Sequence, residues 1–409
     1  MPDSKHAKSF AFYVVPHEFE PLLPSALKQE PLLALAHDLS RAAGALTSQP
    51  APAELRTLLR AMNSYYTHRI EGQHTRPLEL EQALRQDFSH NADLAARQRL
   101  ALAHMETEVE LEARYAGDDG ARALYSLAAV QDIHRALFAR LREADRRTPE
   151  GQALVPGDLR SGQVGVGRHV APEAASVPAF VERWAAVYGG ARRGEAALVA
   201  LAAAHQRLGW IHPFADGNGR AMRLHTHTLL GALGLTGGLW SPLRGFARNV
   251  DRYDALLAAA DEPRRGDLDG RGNLSEQALV DWIAYVLETG LDQVRFMAGM
   301  LKLATMEQRL AACLVFEQQT LKSGVRLEAL RPLHYLFLSG TELERGEFKR
   351  MTGLGERTAV SLLGALLRRG LLRSDSPQGK VRFGMPMHAL RFYFPALWPE
   401  AEADSADSR

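Results

Sequence analysis

The sequence predicts a mainly α-helical chain with small β-hairpins and a C-terminal winged helix-turn-helix. Three observations carry that prediction. Alanine- and leucine-rich stretches with 3.6-residue spacing dominate, alternating strand-like stretches are rare, and a basic helix–glycine turn–helix pattern stands near the end.

In chain order, the helical stretches are "PAELRTLLRAMNSYYTHRIEG", "LAARQRLALAHMETEVELEARYAG", "EAALVALAAAHQRLGWIH", "DRYDALLAAADE" and "LSEQALVDWIAYVLETGLDQVRFMAGMLKLA". Between the second and third, "GQVGVGRHV" at 162–170 alternates small and β-branched residues between glycines, which suits a short hairpin. "LLRSD" and "KVRFGMP", joined by "SPQG", predict a second hairpin. From Arg345 to Arg382, nine basic residues against three acidic ones give a local charge of +6. Within that segment "RGEFKRMTGLGERTAVSLLGALLRRGLL" reads as helix, turn, helix, with Gly370 as the C-cap. The loop "EPRRGDLDGRGN" after residue 261 reads as a solvated connector, since the later ligand positions of a calcium loop are not filled.

Bulk properties exclude more than they assign. The 409 residues carry 49 basic and 48 acidic side chains, a net charge of +1, so any signal for nucleic acid must be local. A single cysteine, Cys313, allows neither an intramolecular disulfide nor a cysteine-based zinc site, and its apolar surroundings predict a buried, inert thiol. The N-terminal stretch has no long apolar signal region, and no run approaches the ~20 apolar residues of a membrane span. The expectation is a cytoplasmic protein with no membrane partner.

Residues 211–223, "IHPFADGNGRAMR", concentrate chemistry. Gly217, Asn218 and Gly219 tolerate open backbone conformations, so successive N–H groups converge on one point. A helix beginning near Arg220 adds free N–H groups and a positive dipole end, and Arg220 and Arg223 share one of its faces. Together they predict a cradle for two or three linked phosphates. Asp216 at its mouth makes sense as a Mg²⁺ ligand, because bare phosphate would repel a carboxylate. His212 is placed to act as a general base, and Phe214 to anchor the loop in the core.

This stretch resembles the signature of the Fic family, HxFx[D/E]GNGRxxR, at every specified position. "PGDLRSGQVGVGRHVAPEAASVPAF" resembles the family's flap hairpin, so Val164, Val166, Gly167, Arg168 and His169 are expected to dock an extended target segment. Tyr253 lies on the helix that resembles the one flanking the adenine pocket. Where other members often carry an asparagine, this chain has Ala260 or Asp261, which opens the choice of base.

The resemblance implies a Fic-type helical bundle that moves AMP from ATP, with Mg²⁺, to a Ser, Thr or Tyr hydroxyl of a target protein. His212 would take the proton and Asp216 would hold Mg²⁺. Gly217, Asn218 and Gly219 would position the α- and β-phosphates, and Arg220 and Arg223 the β- and γ-phosphates. Self-modification, a homodimer and DNA complete the expected partners. The implied organisation is an N-terminal helical region over 1–95, a catalytic domain over 96–295, a linker helix over 296–330, a winged helix over 331–400 and a disordered tail over 401–409.

"THRIEG", residues 67–72, reads first as a helix end. Gly72 is a natural C-cap, and Glu71 in the last turn opposes the helix dipole. It also fills the family's inhibitory motif [S/T]xxxE[G/N] with Thr67, Glu71 and Gly72. The resemblance implies that Glu71 pairs with Arg223 and keeps ATP out of its productive pose. His205 is expected to pack in the core or orient the motif, and His225 and His227 to point to different faces. Arg160 and His169 are read either as contacts to nucleotide or target, or as solvated. Arg357, Thr358, Ser361 and Arg368 on the recognition helix are placed for DNA, with protein docking as the other role. The rival functions are a DNA-binding regulator using the site as a nucleotide sensor, a Fic enzyme with another nucleotide donor, and an enzyme that also removes AMP.

Overall fold

The computed structural model describes residues 13–48, 51–73, 75–148, 150–166, 169–190 and 193–397. Its helices are α1 (Ala26–Thr47), α2 (Ala53–Ile70), α3 (Pro77–Leu84), α4 (Ala92–Arg114), α5 (Gly117–Ala123), α6 (Leu127–Phe138), α7 (Val177–Tyr188), α8 (Glu195–Ile211) and α9 (Asn218–Ala232). They continue with α10 (Leu243–Arg248), α11 (Val250–Ala259), α12 (Glu276–Met300), α13 (Leu303–Val315), α14 (Leu330–Ser339), α15 (Arg345–Met351), α16 (Glu356–Arg368) and α17 (Met387–Tyr393). The strands are β1 (Gly165–Val166), β2 (His169–Val170), β3 (Glu342–Leu343), β4 (Leu372–Arg373) and β5 (Val381–Phe383). All five long helical stretches and both hairpins of the sequence reading are present. Among the described residues no helix is long and apolar enough to cross a membrane.

The chain divides into two compact units that interleave along the sequence. The first takes Met1–Ser40, Glu106–Gly234 and Asn249–Glu288, and the second takes Arg41–Met105, Leu235–Arg248 and Thr289–Arg409. The expected division was consecutive. The difference arises because α1, α4 and α12 are each one continuous helix that contributes to both units, so no break in periodicity marks the change. The expected disordered tail at 401–409 lies outside the described residues.

In the first unit α8 packs on α7 and α9, and α9 also on α5 and α6. The alanines of α8 permit close approach: Ala197 and Ala200 to Ala204 are buried, and Trp184 and Trp282 donate their indole N–H groups to the Ala204 and Ala202 carbonyls at 3.0 and 2.8 Å. The loop after residue 261 closes on Asp269, which accepts from the Arg265 and Gln277 N–H groups at 2.9 Å and from the Ser275 hydroxyl at 3.1 Å. Its neighbour Leu268 is fully exposed, as suits a solvated connector.

In the second unit α10 packs on α2, and α13 on α14 and α17. A three-stranded antiparallel sheet runs in the order β3-β5-β4, with Leu343 opposite Val381 and Leu372 opposite Phe383. Gly370 ends the α16 segment at φ 70°, as the C-cap reading expects. Glu317 is fully buried. Burial pushes its pKa up, but a two-pronged Arg369 contact at 2.8 Å and 2.8 Å, with the Ser323 and His388 neighbours, holds it below the usual range. Cys313 is buried and its thiol is pushed up to about 12 by burial, the inert state expected of it.

Candidate active site

The loop between α8 and α9 is fixed from several sides. α8 ends at His212, whose backbone is left-handed (φ 50°, ψ 63°), a conformation non-glycine residues adopt at a cost. Arg160 holds that bend. Its Nε donates to the His212 carbonyl at 2.8 Å and its own N–H to the Pro213 carbonyl at 3.0 Å. The same guanidinium reaches the Gly162 and Pro172 carbonyls at 3.1 and 2.5 Å, on either side of the hairpin. Burial lowers the Arg160 pKa to about 10.

Phe214 is fully buried, as expected of an anchor, and stacks on His134 of α6 with ring centroids 3.9 Å apart. Asn218 closes a reciprocal pair with it: Oδ1 accepts the Phe214 N–H and Nδ2 donates to the Phe214 carbonyl, both at 2.8 Å. The Asn218 side chain is thus engaged in shaping the loop. Helix α9 also starts at Asn218, two residues before the expected Arg220, because Gly217 caps it at φ 79°.

Glycine is required at 217 for a second reason. A Cβ there would lie 2.4 Å from the Phe138 ring. Gly217→Ala should therefore destabilise the chain by about 2–5 kcal/mol, combining overpacking with left-handed strain. Denaturant unfolding checks this. Gly44→Ala, in α1 where a Cβ meets nothing within 4 Å, should be neutral or stabilising in the same assay.

The first turn of α9 offers the N–H groups of Asn218, Gly219 and Arg220 together with the dipole's positive end. Arg220 and Arg223 are both buried on this helix. The Arg220 guanidinium lies over the Phe138 ring at 5.2 Å and pairs with the Asp216 carboxylate at 3.2 Å. The helix start thus brings these N–H groups and the two arginines beside Asp216, a part-exposed oxygen donor. A hard carboxylate oxygen of this kind is a donor type that Mg²⁺ takes.

Sequence reasoning missed His134. It lies on the apolar face of α6, four residues from Phe138, where a histidine reads as core. Both its nitrogens are used: Nδ1 accepts the Gly157 N–H at 2.8 Å, so Nε2 carries the proton and donates to the Asp216 carbonyl at 3.2 Å. Burial lowers its pKa to about 4.

His205 is engaged by the Thr226 hydroxyl at 2.7 Å and the Tyr253 hydroxyl at 3.2 Å, and burial lowers it to about 3. Tyr253, read from the sequence as a nucleotide contact, is buried here with its hydroxyl against His205. His225 donates to the Leu124 carbonyl at 3.1 Å and is lowered to about 4 by burial. His227 instead faces Glu112 and Glu108. In the region expected to meet the base, Ala260 is buried and Asp261 accepts from the Gln206 amide at 2.7 Å, its carboxyl raised to about 7 by burial.

These shifts set a pH dependence. His134, His205 and His225 are neutral when folded, whereas unfolded imidazoles take up protons below about pH 6.5, so stability falls as pH drops from about 6.5 towards 4. Each group contributes at most about 1.4 kcal/mol per pH unit over that window. Urea midpoints measured across it should decline steeply. A flat profile would contradict the buried neutral assignment.

The hairpin pairs Gly165 with Val170 and Val166 with His169, with Val164 half-buried beside it. The expected docking residues Gly167 and Arg168 lie outside the described residues. His169 and Arg160 are not solvated. His169 Nε2 donates to the Trp210 carbonyl at 2.8 Å, and burial lowers its pKa.

The other expected site residues belong to the second unit. Thr67 is buried in α2. Glu71 is the exposed C-cap, and Gly72 (φ 69°) and Gln73 return their N–H groups to the Arg69 and His68 carbonyls at 3.0 and 2.8 Å. That is a Schellman end. On α16 Arg357, Ser361 and Arg368 are exposed and Thr358 is half-buried.

Comparison with known proteins follows the same lines. Residues 124–230 match the model of the Fic/DOC family. No curated protein matches the chain. Among solved structures, a Fic family protein from Desulfovibrio desulfuricans G20 aligns with TM-score 0.53 at 18% identity, over 90% of this chain and 99% of that one. A Fic domain containing signaling protein from Bacteroides thetaiotaomicron VPI-5482 aligns at 0.46 and 16% identity, over 64% and 95%. Fic-1 from C. elegans aligns at 0.46 and 16%, over 68% and 74%. At these identities the first likeness is one of fold.

Proposed function

Residues 124–230 form a Fic/DOC-family domain, and from that premise we propose that the chain is an autoinhibited protein adenylyltransferase, moving AMP from ATP to a Ser, Thr or Tyr hydroxyl and releasing pyrophosphate. The observation that carries the reading is the pre-set loop: His212 held in a left-handed bend beside a helix start with two buried arginines. The His212 imidazole accepts the hydroxyl proton as the oxygen attacks the α-phosphate in line. The first-turn N–H groups of α9 hold the phosphates, and Arg220 and Arg223 meet the charge that builds on the leaving pyrophosphate. Asp216 would hold Mg²⁺, which supplies charge neutralisation at the phosphates when bound.

The Thr67–Glu71–Gly72 sequence is proposed as the restraint, with the Glu71 carboxylate competing with the γ-phosphate. Target docking by the hairpin, self-modification and a homodimer extend the same reading. A cytoplasmic setting belongs to the same reading. The Glu71→Gly chain, incubated separately with ATP and UTP labelled in the α-phosphate, should carry label into protein from ATP. Label from UTP alone would establish a different donor, and label from neither would overturn the reading.

A second reading concerns the C-terminal segment. The exposed Arg357, Ser361 and Arg368 on α16, followed by the β4–β5 ribbon, suit a winged helix that meets DNA. Salt-dependent DNA affinity of the full chain, abolished by charge reversal at Arg357 and Arg368, would support it. No affinity at low salt would leave protein docking.

A further inference from the structure

A cluster apart from the phosphate cradle has the composition of a metal site. Glu108 and Glu112 stand four residues apart on the part of α4 that belongs to the first unit, so their carboxylates share a helix face. That face meets His227 of α9. His227 Nε2 lies 3.2 Å from Glu112 Oε1 and 3.9 Å from Glu108 Oε2, and one ligand atom from each residue falls within 4.8 Å of the others. Glu108 is fully buried and His227 is 4% exposed. From these observations we propose that Glu108, Glu112 and His227 bind a Zn²⁺ ion.

The geometry is close to what one ion needs. Donors 2.0–2.1 Å from a tetrahedral centre lie about 3.3 Å from one another. His227 and Glu112 already have that spacing, and Glu108, 3.9 Å from the same nitrogen, closes in on both by rotamer adjustment. The donor set decides the ion: imidazole nitrogen with two carboxylates and no sulfur suits Zn²⁺, whereas Mg²⁺ and Ca²⁺ prefer oxygen alone. The Glu112 side chain is 26% exposed, which leaves an entry path and room for a water as the fourth ligand.

His225 is not part of this group, since its Nε2 is engaged with the Leu124 carbonyl. Asp216 is not part of it either, being the cradle's own carboxylate in the loop before α9. A bound ion would join α4 to α9, the helix whose first turn forms the cradle.

The test uses the full chain stripped with a chelator and titrated with Zn²⁺ against a chromophoric competitor, with bound metal measured by elemental analysis. The expected result is a single tight Zn²⁺ per chain. Glu112→Gln and His227→Gln should each weaken it by at least ~10-fold, while Asp216→Ala leaves it unchanged. Zn²⁺ should raise the thermal midpoint of the unmodified chain and fail to do so in the two variants. Should His227→Gln not fold, Glu112→Gln, at the part-exposed ligand, carries the test alone. Less than stoichiometric uptake at micromolar free Zn²⁺, or wild-type affinity in Glu112→Gln, would overturn the proposal. Either result would leave the trio as a histidine bridging two carboxylates.

Discussion

His212→Ala should lower transfer by about 10²–10⁴ while ATP binding stays near wild type. The imidazole's proposed work is proton removal, which contributes to the transition state and not to phosphate affinity. The backbone around it is held by groups that the substitution leaves in place: Arg160 on the His212 and Pro213 carbonyls, Asn218 on Phe214, and His134 on the Asp216 carbonyl. The cradle should therefore survive the loss of the side chain. Initial rates with α-labelled ATP, paired with calorimetric ATP titration, separate the two quantities. Lost ATP affinity with transfer retained would contradict the role given to His212.

Glu71→Gly should raise transfer, self-modification included, by at least ~10-fold. A charge-assisted carboxylate–arginine interaction is worth on the order of 1.5–3 kcal/mol, and 1.4 kcal/mol already corresponds to a factor of ten. Arg223, the cation at issue, is buried. The structure also removes a competing explanation. The Schellman end of α2 is made by the backbone N–H groups of Gly72 and Gln73, which the substitution leaves in place. Losing a carboxylate from a helix C-terminus relieves an unfavourable dipole contact of about 0.3–1 kcal/mol, so any gain in rate would not come from a damaged helix. Arg223→Ala in the Glu71→Gly background should stay inactive, because the triphosphate then lacks its clamp. ADP affinity should change little between wild type and Glu71→Gly, since ADP has no γ-phosphate. If Glu71→Gly labels no faster while binding ATP equally well, the inhibitory assignment fails.

The helices and hairpins were legible because their signals are local: 3.6-residue periodicity, glycine punctuation and a basic run. The loop was legible because its residue types are rare together. Its supports were not. His134 and Arg160 act through backbone carbonyls far along the chain; from sequence alone the first reads as core, and the second stays open between a contact to nucleotide or target and a solvated position. The loop-shaping part of the Asn218 side chain was out of reach as well. Only the fold shows both ends of the amide engaged with Phe214. The contact of Tyr253 with His205 was out of reach too, since periodicity fixes a helix face to within a turn but not which neighbour covers it.

The alternation of the two units along the chain has a consequence for biosynthesis. Neither unit has all its segments until residues 249–288 and 289–409, respectively, have been made. A nascent chain emerging N-terminus first must hold α2 and the start of α4 without their later partners until synthesis is nearly over. Each unit closes long sequence separations, so assembly should be slow and late, with apolar faces open to chaperones in the meantime. Cutting the gene at residue 95 would likewise deprive both units of their parts. Fragments divided in that way should be recovered as aggregates more often than as working halves.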